Sequence, residues 1–149
     1  MKWITRSHVH VDRVACPWLI ARFIDSQAEF LFVPKSRVLE VAAKEGAISY
    51  DAPGAEYDHD RSNPAGELCT FEVLIRAFQL TDKALLRLAR VVSGADTHRY
   101  DLDPLARGLE ALATGYGLRF PDDQENIRRQ FEMYDALYAW CALDTAREA

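Results

Sequence analysis

The feature that most constrains the fold is the separation of strand patterns from helix patterns along the chain. Short apolar runs typical of buried strands occur at residues 2–6, 29–33 and 48–51, and segments of helical spacing lie between them. After about residue 70 the chain carries only helical periodicity. An alternation of strands and helices of this kind suits a small sheet covered by helices. The sequence therefore predicts an α+β fold, in which a small N-terminal β-sheet with helices is followed by a helical C-terminal half.

Glycine, proline and capping residues give the expected bounds of the helices. Pro17 is expected in the first turn of the first helix, where its missing N–H costs nothing. Gly46 is expected to end a helix over 36–44. Thr70 would cap a helix over 71–78, and Gly115 or Gly117 would close a helix over 105–113. The two remaining helices are predicted over 83–92 and from about residue 122 to beyond residue 142.

Length and composition favour a single globular domain over residues 1–149 that stays in the cytoplasm. The 149 residues suffice to bury a core, and no run approaches the roughly 20 apolar residues of a membrane span. The first residues lack a secretion signal, and the three cysteines are too scattered for a disulfide framework. The net charge of −5 argues against nucleic-acid binding by the chain itself. A homodimer is left open.

A candidate metal site combines one imidazole with two carboxylates. His59 lies in an acidic, turn-rich segment, Glu72 in the first turn of a predicted helix, and Asp96 at the end of the next helix. This oxygen-and-nitrogen set suits Fe, Mn or Zn, with positions left for water or a substrate. Asp58 and Glu67 would be general acid/base candidates near a metal-bound water. The alternative is structural: Glu72 favours the helix dipole, Asp96 caps a turn and His59 is exposed.

A second candidate site is an oxyanion pocket at the start of the first helix. Arg6 and Arg13 flank this helix end, where free backbone N–H groups and arginine forks suit a tetrahedral oxyanion such as chromate. Cys16, near the same end, would have a lowered thiol pKa and could reduce or bind Cr(VI). The alternatives are that Cys16 packs in the core and that Arg13 pairs with a neighbouring aspartate.

Five motifs occur in order over nearly the whole chain: DRVACPWLIARFID, AEFLFVP, FEVLIRAF, ARVVSGADT and YDALYAW. Together they resemble the C-terminal domain of the bacterial chromate-resistance protein B family. The resemblance implies a role in chromate-resistance systems, whose central component is a chromate efflux pump. Longer members carry an additional N-terminal region and have been regarded as chromate-responsive regulators. Because this chain begins at the domain itself, we expect a stand-alone form that does not bind DNA.

The residues and the resemblance give three functional hypotheses. The leading one is a chromate-resistance accessory domain that binds a divalent metal through His59, Glu72 and Asp96 and senses or processes an oxyanion there. The second is a metal-dependent small oxidoreductase or hydrolase. The third is a structural or regulatory module that works with a partner chain supplying DNA contacts.

Overall fold

The structure, a computed structural model, describes residues 1–148 and contains the predicted sheet near the N-terminus. Its parallel strands, in the order β2–β1–β3, are β1 (Lys2–Arg6), β2 (Glu29–Val33) and β3 (Ile48–Ser49). Trp3 of β1 pairs with Phe30 on one side and with Ile48 on the other. β3 is shorter than predicted: the Tyr50 backbone N–H still donates to the Ile4 carbonyl at 3.0 Å, but Tyr50 lies outside the strand and forms an isolated bridge with Tyr57.

Helices account for most of the remaining chain. Those within residues 1–148 are α1 (Val11–Leu19), α2 (Val38–Glu45), α3 (Thr70–Ala77), α4 (Lys83–Asp96), α5 (Ala106–Arg119) and α6 (Asp123–Arg147). A π-helical segment, Ile20–Ile24, continues α1. The predicted α+β class, with its helical C-terminal half, is confirmed. Over the same residues, no helix is both long and apolar enough to cross a lipid bilayer.

The first helix begins earlier than the sequence predicts. α1 starts at Val11, so Pro17 lies in its interior and the prediction that Pro17 occupies the first turn is wrong. Every residue of α1 except Arg13 is buried. Tertiary packing therefore stabilises this helix enough to outweigh the backbone hydrogen bond that proline removes.

Glycine ends a helix mainly where the backbone turns left-handed. Gly46, with a φ of +64°, terminates α2 as predicted. Gly115 and Gly117 have no positive φ, so α5 continues through both, and the prediction that it closes there is wrong. At α3 the N-cap is Cys69 and Thr70 is the first helical residue, which leaves the Thr70 hydroxyl available for other partners.

The carboxyl edge of the sheet collects charged residues from distant parts of the chain. Parallel strands present their C-terminal ends at one edge, where Arg6 ends β1, Lys35 follows β2 and Asp51 follows β3. Because α1 begins shortly after β1 ends, its first turn lies at the same edge. α1 packs against α3, α4 and α6, with Trp18 and Tyr134 in the core between them. This packing fixes the position of α1 among the helices.

Candidate metal and oxyanion site

A polar cleft with a volume of about 350 Å³ opens at the carboxyl edge of the sheet. Arg6 and Arg13 line it together with His59 and Asp96. The two sites that the sequence suggests separately, one for a metal and one for an oxyanion, therefore share one cleft. The other charged side chains in its lining are Lys35, Asp51, Asp58 and Arg61.

The imidazole of His59 stands at the centre of three carboxylates. Its Nε2 lies 3.3 Å from Asp12 Oδ2, 3.3 Å from Asp51 Oδ1 and 3.0 Å from Asp96 Oδ2. One ring N–H cannot donate to three acceptors at once. Hydrogen bonding to Asp12, then to Asp51 and Asp96, raises the pKa of His59 to about 12. The cluster thus binds a proton strongly and presents a site that favours positive charge.

Two of the carboxylates are held in place by the first residue of α3. The backbone N–H of Thr70 donates to Asp12 Oδ2 at 2.8 Å, and the Thr70 hydroxyl donates to Asp51 Oδ1 at 2.7 Å. Asp51 itself has a φ of +47°, a left-handed conformation that aspartate adopts more readily than most residues. Asp96, the last residue of α4, completes the set. The carboxylates are therefore positioned by helix ends and a strand end, all of them rigid elements.

Burial makes the negative charge of the cluster energetically unfavourable. Asp12 is fully buried, and desolvation, followed by repulsion from Asp96, raises its pKa well above the usual range. Its Oδ1 is buried without a hydrogen-bond partner. For Asp51, burial acts in the same direction, but hydrogen bonds from His59 and Thr70 and the charge of Arg13 outweigh it, so the Asp51 pKa is lowered. A cation at the centre of the cluster would offset these costs.

The donor atoms of three residues lie close enough together to be candidate ligands of one metal ion. One donor atom each from Asp12, His59 and Asp96 forms a group in which all separations are within 4.8 Å. Donors that share an ion at about 2.0–2.2 Å stand about 2.8–3.6 Å apart in octahedral or tetrahedral geometry. The 3.0 Å and 3.3 Å separations from His59 Nε2 fall in that range. Two carboxylates and one imidazole suit Mn, Fe or Zn.

The other ring nitrogen of His59 faces Glu67. His59 Nδ1 lies 3.6 Å from Glu67 Oε2 and is buried without a closer partner. Arg61 Nε lies 3.0 Å from the other oxygen of Glu67, and Arg99 donates to the Glu67 backbone carbonyl at 2.7 Å. The 3.6 Å separation is an ion-pair distance and too long for a hydrogen bond. Glu67 thus places negative charge behind the ring without a hydrogen bond that would fix its orientation.

The cationic side chains of the cleft differ in how they are paired. Arg13 lies 3.4 Å from Asp51 Oδ2 and donates to the His8 carbonyl at 3.0 Å. The Nε atoms of both Arg6 and Arg13 are buried without a hydrogen-bond partner. Both guanidinium groups belong to residues that line the cleft, and arginine forks suit oxyanions.

Two residues of the predicted sites lie elsewhere. The Glu72 carboxylate accepts a hydrogen bond from the Cys69 backbone N–H at 3.1 Å, so it caps α3, and Asp12 stands in the cluster where the sequence placed Glu72. Cys16 lies within α1, not at its N-terminus, and is fully buried. Burial, followed by the negative charge of Asp12, raises the pKa of its thiol well above the usual range. The prediction of a lowered thiol pKa for Cys16 is therefore wrong.

Sequence reasoning missed Asp12 and Asp51 as members of the cluster. An aspartate in the first turn of a helix ordinarily interacts favourably with the helix dipole. From the sequence alone, Asp12 therefore resembles a structural residue. A signal was present: Asp12 and Cys16 are four residues apart in α1, so the carboxylate shares a helix face with buried residues. Asp51 follows a strand in a turn-rich segment, and only the parallel pairing of β3 with β1 brings it to the cleft.

Fold and cleft together define a class of protein: an α+β domain with a histidine–carboxylate centre beside cationic side chains. The chain belongs to the family described as ChrB, C-terminal domain, whose model matches residues 3–141. This confirms the resemblance to the chromate-resistance family that the motifs indicate. The chain is also 36% identical over 138 residues to protein ChrB of Cupriavidus metallidurans.

The alignment with that relative covers 92% of this chain and 40% of protein ChrB. The chain thus spans less than half the length of the relative. No solved structure matches the chain at a significant level.

Proposed function

We propose that this chain is a chromate-resistance accessory domain that binds a divalent metal and senses or processes a small oxyanion beside it. The metal ligands would be Asp12, His59 and Asp96. The observation that carries the proposal is the convergence of three carboxylates on one imidazole nitrogen, at 3.0–3.3 Å, in a cleft that also contains arginines. The family membership of residues 3–141 supports the link to chromate resistance.

A bound metal accounts for the electrostatics of the cluster better than a proton does. A proton on His59 Nε2 supplies one donor and leaves Asp12 Oδ1 buried without a partner. A divalent ion would bring twice the charge and could be reached by an oxygen from each carboxylate. Glu67, 3.6 Å from the other ring nitrogen, would add negative charge behind a coordinating His59.

The oxyanion part of the proposal rests on Arg6 and Arg13. Both line the same cleft as the proposed metal ligands, and both have a buried Nε without a partner. Arginine forks recognise tetrahedral oxyanions through paired hydrogen bonds. The cleft of about 350 Å³ is large enough for a chromate-sized anion and several waters. An anion held there would lie beside the metal.

Metal titration of EDTA-treated protein tests the proposal. Calorimetry with Mn²⁺ and Zn²⁺ should show one site per chain and a raised melting temperature, because a ligand that binds only the folded state stabilises it. His59→Gln and Asp96→Asn should each lower affinity by more than the about 10–100-fold that loss of an outer-shell partner costs. Glu72→Gln is the matched control and should bind metal normally.

The titration also separates the proposal from its competitors. If neither Mn²⁺, Fe²⁺ nor Zn²⁺ binds, the cluster is a protonated histidine held by carboxylates, and a structural or regulatory module is the remaining hypothesis. If metal binds, turnover distinguishes a sensor from an oxidoreductase or hydrolase. A sensor binds the oxyanion without forming product. Asp58, which lines the cleft, and Glu67 stay predicted general acid/base residues of the enzyme alternative.

A further inference from the structure

The charges that line the cleft nearly cancel when no metal is present. Five carboxylates belong to the cleft or touch His59: Asp12, Asp51, Asp58, Glu67 and Asp96. Four cationic side chains face them: Arg6, Arg13, Lys35 and Arg61. These side chains alone leave one negative charge, and a protonated His59 would bring the balance to zero. An approaching dianion therefore gains no net attraction from the metal-free cleft.

Two of the four cations are already engaged by carboxylates of the site. Arg13 lies 3.4 Å from Asp51, and Arg61 lies 3.0 Å from Glu67. Arg6 and Lys35 have no carboxylate within 4.0 Å among residues 1–148. They stand at the carboxyl ends of the adjacent strands β1 and β2. These two side chains are the cations that an incoming anion can use without breaking an ion pair.

We infer that the divalent cation creates the anion site, so that metal and a tetrahedral dianion bind with strong positive coupling. The inference rests on the proposed function and concerns its regulation. A divalent ion adds two positive charges among the carboxylates, or one net charge where it displaces a proton from His59, and it offers open coordination positions to an anion oxygen. Arg6 and Lys35 then hold the outer oxygens. The domain would respond to an oxyanion only when it is loaded with metal.

Calorimetry with Mn²⁺ and sulfate, a tetrahedral dianion without oxidising power, tests the coupling at low ionic strength. Sulfate should bind at least tenfold more tightly to Mn²⁺-saturated protein than to EDTA-treated protein. Mn²⁺ affinity should rise by the same factor when sulfate is saturating, because coupling between two binding sites is reciprocal. In His59→Gln, which we expect not to bind Mn²⁺, the metal should leave sulfate affinity unchanged.

Paired variants locate the anion contacts. Lys35→Ala should lower sulfate affinity of the Mn²⁺-loaded protein at least fivefold while Mn²⁺ affinity without sulfate does not fall. Arg37→Ala is the matched control: this residue lies in the same short helical turn, is exposed and faces Glu40 at 3.6 Å. Arg6→Ala should act like Lys35→Ala, with Lys2→Ala, at the other end of β1, as its control.

The outcomes separate this inference from the metal site on which it rests. Mn²⁺ binding with a sulfate affinity that is the same with and without the metal would overturn the coupling and leave the metal site standing. Weaker sulfate binding in the presence of Mn²⁺ would also overturn it. Failure of Mn²⁺ to bind at all would remove the proposed function, and the coupling with it. Equal effects of Lys35→Ala and Arg37→Ala would refute the assigned contacts.

Discussion

Gly94 is a helical glycine at which a single methyl group should disturb the packing beside the candidate site. It lies in the last turns of α4, where a Cβ would come 2.8 Å from the Cβ of Ala106 and 3.0 Å from the backbone oxygen of Arg99. Both atoms are fixed by the backbone, so neither can rotate away. Gly94→Ala must therefore push α5 or the Arg99 segment outward. Asp96 is two residues further along α4 and would move with it.

A matched variant isolates the packing cost. Gly108 also lies in a helix, α5, and a Cβ there meets nothing within 4 Å. Both substitutions gain the same helix propensity, about 0.8–1 kcal/mol. Overpacking a tight contact costs about 1–3 kcal/mol. Gly108→Ala should therefore stabilise the protein by up to about 1 kcal/mol, and Gly94→Ala should be about 1–3 kcal/mol less stable than Gly108→Ala.

Urea unfolding of the metal-free variants, followed by circular dichroism, measures this difference in the free energy of unfolding. Gly94→Ala should also bind Mn²⁺ more weakly than Gly108→Ala, because the overpacked turn leads into Asp96. Equal unfolding midpoints for the two variants would show that the end of α4 yields to a methyl group. The close approach of α4 to Ala106 would then not be what sets the position of Asp96.

Three further predictions follow from the buried ionisable groups. Cys16 and Cys69 should not react with Ellman's reagent in the native state, because burial raises both thiol pKa values well above the usual range; rapid native-state labelling would contradict this. Because the pKa of His59 is raised to about 12 in the folded state, protonation of His59 stabilises the metal-free fold. This stabilisation is complete below the unfolded pKa of about 6.5 and is lost as the pH rises through the folded pKa. The melting temperature should thus fall between pH 7 and pH 10, with a flatter fall in His59→Gln, and a steeper fall in that variant would refute the assignment. Asp12→Asn should abolish Mn²⁺ binding, because it replaces a proposed carboxylate ligand, and unchanged Mn²⁺ binding would contradict that role.

The fold was predictable because its signals are local. The residues at 2–6 and 29–33 are short apolar runs that no helix pattern fits, and both form strands at those bounds. Gly46 ends α2 through its own backbone conformation, with a φ of +64°. The prediction that Pro17 lies in the first turn was wrong because the packing of its neighbours determines where α1 begins. The burial of α1 is a property of the assembled core, which local preference does not contain.

The candidate site was only half predictable, because its geometry depends on long-range pairing. His59 and Asp96 are brought together as expected, at 3.0 Å. Glu72 was a reasonable third ligand, but the first turn of a helix offers a carboxylate an unpaired backbone N–H, and Glu72 takes the one at Cys69. Asp12 reaches His59 only because α1 and α3 pack together. No spacing rule along the sequence contains that contact.

The best argument that the cluster has a function is that its buried charges are unfavourable for the stability of the fold. A fold selected for stability alone would not place Asp12, fully buried, against two further carboxylates, since apolar residues of similar size commonly do better in such positions. The metal-free protein retains a carboxylate oxygen without a partner and a histidine that must stay protonated to balance its neighbours. A divalent ion at the centre would balance the carboxylates without requiring a protonated histidine. Metal binding would therefore stabilise the same contacts that hold α1, α3 and α4 together. Folding and metal binding would then be thermodynamically coupled.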